Sequence, residues 1–260
     1  MNNRMVLKQR FPSPNPAIEL SIITYLSNDG LKVKGLLAEP KDDRNYDGFL
    51  YLRGGIKNVG KVRPSRIIQF AAEGFIVFAP FYRGNQGGEG HEDFAGADRE
   101  DAFSGFELLD SLERVRRVHI FGFSRGGVMA LLTAIHYQQA ASIVTWGGVS
   151  DMFLTYEERM DLRRMMKRVI GGTPAKVPEQ YRERTPIYML EKLTLPVLII
   201  HGRKDKNVSV EHAYRLEKRL KELNKRGETW YFDEFTHYFP PAINRQIVSD
   251  LTAWMKRQVN

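Results

Sequence analysis

The run Val118-His119-Ile120-Phe121-Gly122-Phe123-Ser124-Arg125-Gly126-Gly127 passes without a break from apolar residues into the stretch 128–135, Val-Met-Ala-Leu-Leu-Thr-Ala-Ile. The apolar half reads as a buried strand end, and the second half is a good helix former with no Gly or Pro to stop it. A strand and a helix joined this tightly must bend sharply at Ser124. Gly122 and Gly126, two positions either side of it, remove the side chains that would collide in the bend. The pattern predicts a nucleophile elbow, in which a strained turn presents the serine hydroxyl at the strand end. It also puts the backbone N–H of Arg125 at a helix N-terminus, where it can donate to an oxyanion. The plainer reading is a glycine-rich turn with an idle serine, so the rest of the chain has to supply a base and an acid.

The remaining pattern suits a sheet that could hold such an elbow. Residues 17–25 and 31–37 alternate around the turn signal Ser27-Asn28-Asp29-Gly30, which predicts a hairpin. From Phe49 onward strands and helices alternate. Strands are expected at 49–52, 75–80, 118–123, 141–146, 195–200 and 228–232, and helices at 67–73, 98–112, 128–135, 210–223 and 243–257. Residues 156–191 are largely helical and charged. Apolar strand cores separated by helices predict an α/β fold: a mostly parallel central sheet with helices on both faces, after an antiparallel N-terminal hairpin. Without an internal repeat or a dividing linker, residues 1–260 are expected to be a single domain, with about 151–191 a mainly helical segment near the site.

Composition narrows the partners. The formal net charge is +8, but the basic residues of 161–168 and 211–226 are mixed with acids and apolar positions at helical spacing, which describes solvated helix faces. With no zinc-finger spacing, RNA-binding aromatic signature or basic tail, no specific nucleic-acid partner is expected, although a basic rim could favour anionic substrates. The chain has no cysteine, excluding disulfides and thiolate metal sites. No segment approaches the roughly 18 apolar residues of a membrane span, and the N-terminal stretch has no apolar run of signal-peptide length. A cytoplasmic protein without a membrane partner is the expectation, with an oligomer left open.

Catalytic groups in parallel sheets gather beyond the carboxyl ends of the strands. The loop after the strand at 195–200 carries Asp205, and the loop after the strand at 228–232 carries His237. A serine hydroxyl is a poor nucleophile until a base takes its proton, which a neutral imidazole does near pH 7; a carboxylate behind the ring fixes its tautomer and stabilises the imidazolium. Ser124, Asp205 and His237 follow the order Ser, Asp, His of α/β-hydrolases. Asp151, after the strand at 141–146, is the serious alternative acid, and Asp233 and Glu234 are weaker rivals because they share the histidine's loop. Of the other histidines, His119 is expected to pack in its strand, His136 and His212 to be partly exposed on helices, His91 to sit in a flexible glycine-rich loop, and His201 to shape the loop of the acid. The second oxyanion donor is expected from Arg53-Gly54-Gly55, the loop after the first parallel strand, as the N–H of Gly55 paired with that of Arg125.

Together these pieces resemble the catalytic domain of the prolyl oligopeptidase family, within the α/β-hydrolase superfamily. The resemblance rests on Arg53-Gly54-Gly55 where the family often has His-Gly-Gly, Tyr82-Arg83-Gly84 after a Pro80-ended strand, and Ala95-Gly96-Ala97-Asp98-Arg99-Glu100-Asp101 before a helix. It continues through Gly122-Phe123-Ser124-Arg125-Gly126-Gly127, Thr185-Pro186-Ile187, Pro196-Val197-Leu198-Ile199-Ile200-His201-Gly202 with Asp205, and His237. It implies a serine hydrolase with Ser124 as nucleophile, Asp205 as acid and His237 as base, needing no cofactor and no metal. The stretch before Phe49 is too short to encode the β-propeller of the large peptidases. Arg125 stands where many members have an aromatic residue, and Asn207 where many have an arginine that helps hold the peptide. A peptidase acting on short peptides, a carboxylesterase acting on small-molecule esters, and a silent scaffold on the same fold are therefore all carried forward. Met152, Phe153, Met160, Met165 and Met166 are expected either to wall the site or to pack as ordinary helix residues.

Overall fold

The computed structural model describes residues 4–258; residues 1–3, the start of the N-terminal stretch read above for a leader, and 259–260 lie outside the described residues. Along the chain run β1 (Met5–Phe11), β2 (Ile18–Leu26), β3 (Lys32–Pro40), β4 (Tyr46–Leu52), α1 (Pro64–Ala72), β5 (Phe75–Pro80), α2 (Arg99–Asp110), β6 (Val115–Phe123), α3 (Gly126–His136) and β7 (Ser142–Trp146). There follow α4 (Met152–Glu158), α5 (Arg163–Ile170), α6 (Pro178–Arg182), β8 (Val197–Gly202), α7 (Glu211–Glu222), β9 (Gly227–Phe232) and α8 (Pro241–Arg257). Among the described residues the strands form one sheet in the order β1-β2-β3-β5-β4-β6-β7-β8-β9. Pairing is antiparallel from β1 to β3 and between β3 and β5, and parallel from β5 through β4 to β9.

Side chains alternate across a strand, so each central strand feeds two cores, which is why these strands read as continuous apolar runs. On β4, Leu50 and Leu52 face the layer of α2, α3 and α7, where Phe106, Leu109, Met129, Leu131 and Leu216 pack. Phe49 and Tyr51 face the layer of α1 and α8, with Phe70, Phe121, Val248 and Leu251. Phe70 stacks on Phe49 at 4.3 Å and packs on Phe121 at 5.3 Å between ring centroids, tying α1 to the neighbouring strands β4 and β6.

β1 was not expected. Its side chains are almost all exposed, so no apolar alternation marks it in the sequence, and it adds to the sheet through backbone pairing with β2. The chain moves outward from β4 to β5 and then returns to the other side of β4 as β6. The carboxyl ends of β4 and β6 therefore flank the point where strand order reverses, the place such sheets leave open for ligands.

Candidate active site

Ser124 follows β6 with φ of +58°, a left-handed conformation that costs a non-glycine residue about 1–3 kcal/mol and persists only where its surroundings enforce it. Here they do. The Ser124 N–H donates to the Trp146 carbonyl at 3.1 Å, and its own carbonyl accepts from Gly127 N at 2.8 Å and Val149 N at 2.9 Å, so the turn is bolted to the end of β7. A Cβ on Gly126 would lie 2.0 Å from the Leu52 carbonyl oxygen; only glycine lets α3 start this close to β4. Ser124 itself is half-buried.

His237 and Asp205 arrive from the ends of β9 and β8 and meet at 2.7 Å, Nδ1 to Oδ2, with 4% and 7% exposure. Asp205 Oδ1 is already committed, accepting from Asn207 N at 2.8 Å and Val208 N at 3.0 Å, which aims Oδ2 at the imidazole. An acceptor at Nδ1 places the ring proton there and leaves the Nε2 lone pair to act as base. The His237 ring packs on Phe123, the neighbour of Ser124, at 4.8 Å between centroids. Gly147, whose N–H donates to Ile200 O, lies beneath the pair: a Cβ there would be 3.2 Å from His237 Nδ1 and 3.3 Å from Asp205 Oδ2. No hydrogen bond joins Ser124 Oγ to His237 among the described residues; such contacts commonly close only with substrate in place.

The loop after β4 lies against the serine, since a Cβ on Gly54 would come within 2.6 Å of Ser124 Cβ and 3.1 Å of its Oγ. Gly55 has φ of +66°. Neither the Gly55 N–H nor the Arg125 N–H finds an acceptor among the described residues. Beneath this loop is a cluster that sequence reasoning missed. Arg53, Glu92, Asp98 and Arg125 are all at least nine-tenths buried, with Glu92 bonded to both arginines and Asp98 to Arg125. Burial pushes the Asp98 carboxyl up to about 7, against the pull of Arg125. Burial also opposes charge on Arg125, but Asp98 and Glu92 outweigh it and raise its pKa. The side chains of Arg53 and Arg125 had marked themselves only as departures from a familiar pattern; their partners lie 27 to 39 residues away in sequence.

The rival residues have other work. Asp151 caps α4, accepting from Phe153 N and Leu154 N, and pairs with Arg215. Asp233 and Glu234 pair with Arg203 and Lys204 at the surface. His119 packs in its strand as expected, and His201 bridges the acid's loop through Nε2 to the Val208 carbonyl at 2.9 Å. His136 and His91 are exposed. The expectation for His212 is corrected: it is 1% exposed, because His212, Leu216 and Leu220 recur every fourth residue along the inner stripe of α7. Burial holds its imidazole neutral, with the pKa lowered to about 3. Of the apolar residues in 151–191, Met152 and Met166 belong to the core, Phe153 and Met165 pack partly buried against it, and Met160 is 73% exposed, so Met160 walls nothing. Among the described residues no cluster of three His, Asp or Glu suits a metal ion, and no helix is long and apolar enough to cross a membrane.

The profile of the prolyl oligopeptidase family matches residues 61–260. The uncharacterized peptidase YtmA of Bacillus subtilis (strain 168) is 67% identical over 257 residues, which span 98% of this chain and 100% of that protein. Among solved structures, the acylaminoacyl peptidase of Pyrococcus horikoshii superposes with a TM-score of 0.81 at 20% identity, covering 94% of this chain and 42% of that one. The acetyl xylan esterase from Paenibacillus sp. R4 superposes with a TM-score of 0.74 at 14% identity, covering 97% and 88%. Both likenesses are to the fold, the α/β-hydrolase sheet with its antiparallel start. The chain thus spans less than half of the archaeal peptidase and the whole of the Bacillus relative.

Proposed function

The chain belongs to the prolyl oligopeptidase family and is a serine hydrolase, and from that premise we propose that Ser124, His237 and Asp205 are its catalytic triad, with the backbone N–H groups of Gly55 and Arg125 as its oxyanion hole. The observation that carries this reading is the buried 2.7 Å contact between His237 Nδ1 and Asp205 Oδ2, formed by two separate strand ends around the strained serine turn. His237 Nε2 takes the Ser124 proton as Oγ attacks the substrate carbonyl carbon. The carbonyl oxygen becomes an oxyanion facing the two N–H groups, an interaction worth roughly 3 kcal/mol for each well-placed donor. The tetrahedral intermediate collapses as imidazolium returns the proton to the leaving amine or alcohol. Water then attacks the acyl-enzyme with the same base, releasing the acid and restoring Ser124.

The substrates are peptide or amide bonds of short peptides, as in a prolyl oligopeptidase-like peptidase, or esters of small molecules. One position bears on the choice. Asn207 has no cationic side chain where many peptidases of the family have arginine, but Arg159 brings its guanidinium to the Asn207 carbonyl at 2.6 Å, so a cation is still present there. The fold is shared along nearly the whole chain with both an acylaminoacyl peptidase and an acetyl xylan esterase, so both readings are carried to the test. Side-by-side hydrolysis of p-nitrophenyl butyrate and aminoacyl or peptidyl p-nitroanilides by wild type and Ser124→Ala tests both readings. Amide turnover that vanishes in the variant supports the peptidase, and ester turnover alone supports the esterase. Turnover that survives in Ser124→Ala removes the nucleophile.

A further inference from the structure

We propose that Glu92 is a positioning residue, a single buried carboxylate that holds the two oxyanion donors at one spacing; the inference rests on Gly55 and Arg125 supplying those donors. Glu92 accepts four hydrogen bonds from three separate segments. Oε1 takes Arg53 Nη2 at 2.5 Å, Lys57 N at 3.0 Å and Asn85 Nδ2 at 2.5 Å, while Oε2 takes Arg125 Nη2 at 2.6 Å. Arg53 in turn folds over its own loop, donating from Nη1 to the carbonyls of Gly54 at 2.9 Å and Val59 at 3.2 Å, and from Nε and Nη2 to that of Phe81. The loop bearing Gly55 is therefore clamped at residues 53, 54, 57 and 59, and the clamp is joined through one side chain to the residue whose N–H is the other donor. Arg125 is fixed from its second side by Asp98 at 3.0 Å. The Tyr82 ring packs against both guanidinium groups, 5.1 Å from that of Arg53 and 4.9 Å from that of Arg125.

Burying two cations and two anions is a poor route to stability, because the desolvation cost rivals the attraction recovered, and an apolar cluster of equal volume serves as well. What such a network does supply is geometry. Oxyanion donors act only within a few tenths of an ångström of their place, and a donor on a loose glycine loop loses that place. Through Glu92 the β4 loop and the elbow move as one body.

A positioning role separates from a structural one by comparing ligands. An alkyl trifluoromethyl ketone adds Ser124 Oγ across its carbonyl and forms a tetrahedral oxyanion, whereas the matched secondary alcohol binds without it. In Glu92→Gln, and in Glu92→Asp, whose shorter arm cannot bridge both arginines, kcat for p-nitrophenyl butyrate should fall about 10- to 100-fold with KM changed less than about 3-fold. Ketone affinity should fall by a similar factor and alcohol affinity by less than about 2-fold. Equal weakening of ketone and alcohol, or wild-type ketone affinity in either folded variant, overturns the inference. If Glu92→Gln does not fold, Glu92→Asp, which keeps the charge balance, decides alone; failure of both to fold also overturns it, by making the bridge a determinant of the fold. Ser124→Ala checks the underlying reading separately. There the ketone should lose its advantage over the alcohol, and if it keeps that advantage, the nucleophile assignment fails rather than the bridge.

Discussion

The sheet carries Ser, His and Asp together at both of its ends, and the two sets differ in every feature that the proposed chemistry needs. At the opposite end of the strands Asp47 on β4, His119 on β6 and Ser142 on β7 stand side by side, with His119 Nδ1 at 2.8 Å from Ser142 Oγ and Nε2 at 3.6 Å from Asp47 Oδ2. His119 and Ser142 are neighbours in register, each in ordinary strand backbone. All three are at most 2% exposed. Burial, opposed by Asp47, lowers the His119 pKa; burial alone would raise that of Asp47, but His119 and Arg117 bring it down to about 2. Here Ser142 is paired in the ladder and fully buried. At the other end the serine sits on a left-handed turn, the carboxylate meets Nδ1 so that Nε2 faces outward, and two N–H groups are uncommitted. Residue types alone do not point to a nucleophile; strain, exposure and the ring nitrogen that meets the acid are what single out Ser124 as the proposed one.

Serine replacement should break the symmetry most sharply. Ser124→Ala should lower kcat by about 10⁴- to 10⁶-fold without loss of fold, whereas Ser142→Ala should leave kcat within about 3-fold and lower stability by about 1–2 kcal/mol as a buried hydrogen bond is lost. Steady-state kinetics and urea unfolding on the two proteins check this. The carboxylates come next. Asp205→Asn should cost about 10⁴-fold in kcat, because an amide favours the wrong tautomer, and Asp47→Asn should register only in the unfolding midpoint.

Gly147→Ala sharpens the comparison at closer range. The residue has φ of +51°, and its new methyl group would press on the His237–Asp205 contact. A roughly 10-fold fall in kcat, with about 1–2 kcal/mol of destabilisation, is expected. An unchanged kcat in a destabilised protein would detach this contact from catalysis.

The last prediction concerns stability and not turnover: His212 is buried like His119 but close to the site. In the unfolded chain it takes a proton near 6.5, in the folded protein only near 3. The stability held by its neutral ring is therefore present above about pH 6.5 and lost as pH falls toward about 3. The stability difference between wild type and His212→Gln should shrink with acidification across that window; a difference independent of pH would contradict the burial assignment.

How much of this was legible follows from what each residue contacts. Ser124, Asp205 and His237 could be proposed from sequence because each lies directly after an apolar run or in the loop that follows one, and runs are local. β5 over Phe75–Pro80 matched its expected bounds for the same reason. β1 was invisible because its cohesion is backbone pairing beneath exposed side chains. His212 was misjudged because a charged helix such as α7 still has an inner stripe, and a histidine on it looks like any other polar residue. The Arg53, Glu92, Arg125 and Asp98 cluster lies beyond single-sequence reasoning altogether, since the loop between β5 and α2 must fold back before its acids meet the arginines.

The most direct test of the central claim is labelling of the folded protein with a fluorophosphonate, followed by mass mapping of the adduct. A single adduct on Ser124, absent from Ser124→Ala and never found on Ser142, is the predicted result. An adduct that persists in Ser124→Ala, or a folded wild type that takes no label, would contradict it.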